Sequence, residues 1–189
     1  MNHEQHIRFS RSLVQWYQEH KRSLPWRQDV TPYRVWISEI MLQQTQAERV
    51  TPYFQNWLRL FPDIRSVAEA AEDELLKAWE GLGYYSRARR IQAAARTIAD
   101  FHGGTLPQDL DHLLALPGIG PYTAAAILSL AFNQPVAAVD GNVERVFARV
   151  LNIPAPVKTR ASQNLIRNTA QAMIPEGQAR TFNQALMEL

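Results

Sequence analysis

Leu113-Leu114-Ala115-Leu116-Pro117-Gly118-Ile119-Gly120-Pro121-Tyr122-Thr123-Ala124-Ala125-Ala126-Ile127 is the stretch from which the fold is best read. One helix ends at Leu114–Leu116 and a tight turn with two glycines follows. A helix of small residues then begins at Pro121, a first-turn position where a missing N–H is harmless. Gly118 and Gly120 allow positive φ and remove the Cβ that would block a close approach. The first turn of the new helix presents unpaired N–H groups and the positive end of its dipole, which together suit a phosphate. A plain packing corner between two helices would share some of these features. The succession of Leu-Pro-Gly-Ile-Gly, Pro and an Ala-rich helix favours the phosphate site.

Outward from this corner the apolar residues recur at i, i+3, i+4 and i+7. Residues 5–20 carry Ile7, Val14 and Tyr17, and residues 33–47 carry Val35, Trp36, Ile37, Ile40, Met41 and Leu42. The spacing repeats over 87–101, 121–132, 142–151 and 159–173. Breaks are expected at Ser23–Pro25, Thr31-Pro32, Thr51-Pro52, Phe61-Pro62, Gly81–Gly83, Gly103-Gly104, Pro117–Gly120 and Pro154–Pro156. Pro32, Pro52 and Pro121 suit the first turn of a helix. Val136–Val139 has the composition of a strand but no obvious partner, and reads as an extended or buried segment. The class is all-α, with roughly ten short helices. A helical bundle over 27–133, with the helical hairpin at about 109–132, and a second lobe of residues 1–26 and 134–189 are expected, with a cleft near 133–142.

Composition bounds the function without assigning it. A chain of 189 residues with 46% hydrophobic and 20% charged residues is ordinary for a globular protein. The net charge of +2 says little about a nucleic-acid partner. Arg87, Arg89, Arg90 and Arg96 follow an acidic run, which permits a basic face or an ordinary solvated helix surface. With no cysteine, disulfides, thiol catalysis, Zn–Cys sites and iron–sulfur clusters are excluded within this chain. No apolar run approaches ~18 residues, so no membrane span is expected. The polar N-terminal stretch lacks the apolar core of a signal peptide, and a cytoplasmic protein is expected.

Two carboxylates stand apart from the rest. On a helix, Glu39 has Val35, Trp36, Leu42 and Gln43 as its neighbours at three and four residues. Three of these are apolar, and a carboxyl desolvated there is favoured in its neutral form. The alternative is an edge glutamate paired with an arginine such as Arg34. Asp140 follows the apolar Val136–Val139 and stands where a helix starts, so N–H donors and the helix dipole would hold it as an anion. It also reads as an ordinary N-cap, which is compatible with that role.

The hairpin resembles the helix-hairpin-helix of DNA glycosylases of the endonuclease III superfamily, and Asp140 stands where that family carries its catalytic aspartate. Leu24-Pro25-Trp26-Arg27, Trp36-Ile37-Ser38-Glu39-Ile40-Met41-Leu42-Gln43-Gln44-Thr45, Gly81-Leu82-Gly83-Tyr84-Tyr85-Ser86-Arg87-Ala88-Arg89 and Val139-Asp140-Gly141-Asn142-Val143 resemble its adenine-specific, MutY-type branch, in the same order. The resemblance implies a two-lobed helical fold that flips a mispaired adenine from DNA and cleaves its bond to the sugar. It casts Glu39 as the general acid that protonates adenine N7 and Asp140 as the anion that stabilises the cationic sugar. Asn142 would position Asp140, and Tyr122 would line the pocket. Where strand-cutting members carry a nucleophilic lysine, this chain has Tyr122, so hydrolysis without strand scission is expected. Glu144, where some adenine glycosylases carry a lysine, points the same way.

Further site residues come from the same resemblance. Arg22, Trp26, Arg27, Leu42 and Gln184 would form the adenine pocket, Gln184 through the motif Phe182-Asn183-Gln184-Ala185-Leu186. Gln43, Gln44 and Tyr84 would enter the duplex at the lesion, with Arg87, Arg89, Gly118, Gly120 and Tyr122 also against DNA. From the residues alone, a loop tyrosine after Gly-Leu-Gly reads as a core plug, and Trp26 equally as a core residue. The implied partner is double-stranded DNA containing adenine opposite 8-oxoguanine or guanine, bound by a monomer in a bacterial cytoplasm. No cofactor is expected in this chain. Full-length members continue with four cysteines holding a [4Fe–4S] cluster and then a C-terminal recognition domain, so a truncated form is expected. The alternatives are a related glycosylase for another base and a non-catalytic DNA-binding fragment.

Overall fold

The structure, a computed structural model, describes residues 2–189. Among them there is no strand, and the all-α expectation holds. The helices are α1 (His3–His20), α2 (Pro25–Gln28), α3 (Pro32–Met41), α4 (Ala47–Leu60), α5 (Ile64–Glu69), α6 (Glu72–Trp79), α7 (Ser86–Phe101), α8 (Leu110–Leu114), α9 (Pro121–Ala126), α10 (Gly141–Val150), α11 (Arg160–Ala172) and α12 (Ala179–Glu188). A π-helical turn, Ile127–Ala131, continues α9. The chain divides into two compact units, Ser23–Ile127 and the pair of segments Met1–Arg22 and Leu128–Leu189. No described helix is long and apolar enough to cross a membrane.

The core of Ser23–Ile127 is aromatic. Val50, Phe54 and Trp57 recur on one face of α4 and are fully buried. Trp57 meets Phe61 and Trp79 edge-on at 4.9 and 5.5 Å, and Trp26 meets Phe54 at 5.5 Å. The polar ends of this cluster are satisfied internally, as buried indoles and phenols require. Trp57 Nε1 donates to the Tyr33 hydroxyl (3.0 Å), which donates in turn to the Phe61 carbonyl (2.7 Å). Burial pushes the Tyr33 phenol pKa well above its usual value. Ala88, Ile91, Ala95 and Ile98 form the buried stripe of α7, whose small residues let α5 pack close.

The break expected at Thr51-Pro52 is absent, because α4 runs through Pro52 at an interior position. Burying each large side chain of its inner face contributes about 1.5–3 kcal/mol, enough together to offset the ~3 kcal/mol cost of an interior proline. Conversely, the helix expected over 33–47 stops at Met41, and Leu42–Thr45 form a turn before α4. The last carbonyls of α3 turn to a side chain instead of continuing the ladder. Arg87 Nη1 takes those of Ile40 and Met41, a C-terminal cap from a distant cation.

The other unit is built on α1 and α12. Leu13, Val14 and Tyr17 share a core with Phe182, Ala185 and Leu186, joined by Val143 and Phe147 of α10 and Ile166 and Ala170 of α11. Asn2 and Gln5 form a reciprocal capping box at the start of α1. Residues 136–140 have no regular structure. Three of their backbone groups go to side-chain amides. Ala137 N–H donates to Gln171 Oε1 (3.0 Å) and Ala138 N–H to Asn183 Oδ1 (2.8 Å), while Asn183 Nδ2 donates to the Val136 carbonyl (3.0 Å). That explains a strand-like sequence without a strand, since a buried backbone needs partners but not a ladder.

Candidate active site

Glu39 lies on α3 between Val35, Trp36 and Ile40, and is only 6% exposed. Tyr122, in the first turn of α9, donates its hydroxyl to Glu39 Oε2 at 2.7 Å. The bond spans two helices and fixes the plane of the carboxyl. Arg34, the alternative partner, is paired with Asp29 at 2.9 Å. Glu39 is thus a largely buried carboxyl among apolar side chains that accepts the Tyr122 hydroxyl.

Two exposed turns in the same unit carry the residues expected to enter a duplex. Gln44 has φ 58° and Tyr84 φ 50°, a region non-glycine residues rarely adopt. Tyr84 is 65% exposed, so the core-plug reading fails. Its ring lies 5.6 Å from the Arg87 guanidinium, on the exposed side of the turn. Gln43 is half-buried and Gln44 exposed. Arg87 requires a correction, since it was expected to hold a phosphate. It is buried, and its guanidinium donates to the carbonyls of Ile40, Met41, Gln43, Leu82 and Gly83. No terminal nitrogen is left to reach outward. Burial lowers its pKa, an effect that Tyr84 partly offsets. Arg89 is exposed and paired with Glu72 at 2.7 Å. The run of arginines therefore does not form one basic face.

The hairpin forms as the sequence suggests, with Leu113, Leu116 and Ile119 buried beneath the turn. The two glycines differ in use. Gly118 has φ 79°, and a Cβ there would lie 2.8 Å from Arg90 Cβ. Gly120 is extended, caps α9 and faces open space. Positive φ, expected at both, is needed only at Gly118. Gly118→Ala is expected to lower stability by about 1–3 kcal/mol in urea unfolding. An unchanged midpoint would show that the turn relaxes freely.

Asp140 caps α10, accepting the Val143 N–H at 2.8 Å, with Asn142 Nδ2 at 3.4 Å from its other oxygen. The helix N-terminus thus holds one carboxylate oxygen, and a side-chain amide lies near the other. Glu144 is paired with Lys158 at 2.8 Å. Gln184 is half-buried and accepts the Tyr17 hydroxyl at 2.8 Å. Arg22 grips Glu188 with Nε (2.8 Å) and Nη2 (3.2 Å). Trp26 is buried against Phe54, Arg27 is half-buried on α2, and Leu42 is half-buried after α3. Of the expected pocket residues, Trp26, Arg27 and Leu42 belong to one unit and Arg22 and Gln184 to the other.

The chain matches the model of the HhH-GPD superfamily base excision DNA repair proteins over residues 37–172. The chain belongs to this superfamily. Among HhH-GPD relatives, it is 44% identical to the adenine DNA glycosylase of Mus musculus, over 96% of this chain and 37% of that protein. It is 41% identical to the adenine DNA glycosylase of Mycolicibacterium smegmatis, over 94% of this chain and 60% of that one. It thus spans less than two thirds of each of these relatives. A solved thermostable thymine-DNA glycosylase superposes with a TM-score of 0.87 at 27% identity, covering 97% of this chain and 85% of its own.

Sequence reasoning missed Asn183, Gln171 and Tyr17. Asn183 is fully buried with its amide bonded on both sides, and only its place between Phe182 and Gln184 hinted at a role. A [4Fe–4S] cluster needs thiolate ligands. This chain has no cysteine, and no group of three or more His, Asp or Glu among the described residues is placed to hold a metal, so the residues present do not fit such a cluster.

Proposed function

We propose that the chain carries the catalytic machinery of a monofunctional adenine DNA glycosylase, acting on adenine opposite 8-oxoguanine or guanine in double-stranded DNA. The hydrogen bond from Tyr122 to the buried Glu39 carries this reading. The apolar surroundings of this carboxyl support a role as proton donor, and Tyr122 stands where a lyase would need an amine. A base inside a duplex is out of reach and must first be extruded. Glu39 then protonates N7 of the adenine, and the bond from C1′ to N9 breaks with its electron pair leaving on the base. The sugar gains oxocarbenium character, which the Asp140 carboxylate stabilises, following the two-carboxyl logic of glycoside hydrolysis. Water adds to C1′ and loses a proton, leaving an abasic site. No amine attacks C1′, so no Schiff base forms and the strand stays whole. The N–H groups around Gly118 and Gly120 would hold a backbone phosphate, positioning the duplex without reading its sequence.

The likeness to adenine DNA glycosylases supports the choice of base. The likeness to a thymine-DNA glycosylase favours a second reading, release of a mispaired thymine. Incubation with A:8-oxoG, A:G, T:G and oxidised-pyrimidine duplexes, followed by alkali, separates them. Alkali-dependent cleavage of the adenine strand in the first two is the expected result. Cleavage confined to T:G supports the second reading. Breaks in a parallel lane without alkali would contradict the monofunctional mechanism.

A further inference from the structure

Arg87 is out of place as a surface cation. It is buried and forms no ion pair among the described residues, yet its two terminal nitrogens reach five carbonyls, those at the end of α3 and its following turn and those of the Leu82–Gly83 turn. Nη1 takes Ile40 (2.9 Å), Met41 (3.3 Å) and Gln43 (2.8 Å), and Nη2 takes Leu82 (3.0 Å) and Gly83 (3.2 Å). The first set ends at the residue before Gln44, and the second at the residue before Tyr84. The guanidinium carbon lies 5.3 Å from the Trp79 ring centroid and 5.6 Å from that of Tyr84. The rings flank the cation and carbonyl dipoles offset its charge. Both following residues have positive φ and exposed side chains, so each turn is held in a conformation its own sequence disfavours.

We propose that Arg87 is a positioning residue that ties the Gln44 and Tyr84 turns into one rigid unit, pre-organised to press into the base stack and extrude a base. The proposal rests on the glycosylase reading above. A wedge that yields cannot unstack a base, and rigidity paid for during folding need not be paid for on binding. Only a planar fork serves both turns at once, because a lysine ammonium is a single point.

Arg87→Lys in the 189-residue chain tests this, with Tyr84→Ala beside it. In the wild type, the amides of 42–46 and 82–86 are expected to exchange with deuterium as one unit. In Arg87→Lys both turns are expected to exchange at least about tenfold faster while the helices keep their protection. Extrusion of 2-aminopurine opposite 8-oxoguanine, read by fluorescence, is expected to slow by about 100-fold, as for a misplaced contact group. Affinity for undamaged duplex, set by phosphate contacts, is expected to change less than about threefold. Tyr84→Ala is expected to slow extrusion without loosening the Gln44 turn. Independent exchange of the two turns in wild type overturns the proposal even if the lysine variant does not fold. So does extrusion by Arg87→Lys at the wild-type rate, or a loss no greater than its loss of affinity for undamaged duplex. A wild-type chain that neither extrudes 2-aminopurine nor releases any base overturns the glycosylase reading itself, and this proposal with it.

Discussion

Glu39→Gln is expected to slow adenine release from an A:8-oxoG duplex by about 10³-fold, within the range general acid catalysis supplies. The amide has nearly the same shape and can still accept the Tyr122 hydroxyl bond, so the helix pair α3 and α9 loses little. What it lacks is a transferable proton. Adenine leaves poorly as an anion, so the full cost falls on the bond-breaking step and not on binding. Single-turnover kinetics under saturating enzyme isolate that step. Urea unfolding of the same variant is expected to shift by less than about 1 kcal/mol. A variant that releases adenine at the wild-type rate removes Glu39 from the mechanism. A large loss of stability would instead assign it a structural task.

Asp140→Asn is expected to cost about 10²–10³-fold in the same step, the magnitude found when a preorganised charge-stabilising group is removed. Asparagine is as good a helix cap as aspartate, and its amide oxygen can keep the Val143 N–H. The fold of α10 is thus preserved while the negative charge is lost. Asp140→Ala separates the two tasks, because it also removes the cap and is expected to cost about 1 kcal/mol of stability. If Asp140→Asn cleaves normally and Asp140→Ala is merely unstable, the residue is a cap and nothing more. In the proposed mechanism the charge acts on the developing cation of the sugar, so Asp140→Asn is expected to leave affinity for the uncleaved duplex nearly unchanged.

Much of the fold was legible from short stretches of chain. The apolar spacing on α1, α7, α10 and α11, the prolines opening α3 and α9, and the two-glycine corner before Pro121 are local properties, and local steric and hydrogen-bonding rules act on them directly. Glu39 on an apolar stripe was equally visible, since helical neighbours follow from numbering alone. Its hydroxyl partner, Tyr122, stands far along the chain, and no spacing rule reaches it.

The sequence by itself determined an all-helical chain with no thiol ligands, a glycine corner, and two carboxyls in contrasting local settings, because each depends on a few consecutive residues. Tertiary structure alone decided the rest. Pro52 sits inside α4 because Phe54 and Trp57 find a core to fill. Arg87 turned inward because carbonyls from the distant Gln43 turn and the adjoining Leu82 turn meet at its guanidinium, where a buried cation must find acceptors or stay outside. Residues 136–138 need no neighbouring strand because Gln171 and Asn183 supply the missing partners. In each case at least one deciding contact joins residues far apart in the chain, and periodicity carries no information about which of them will meet.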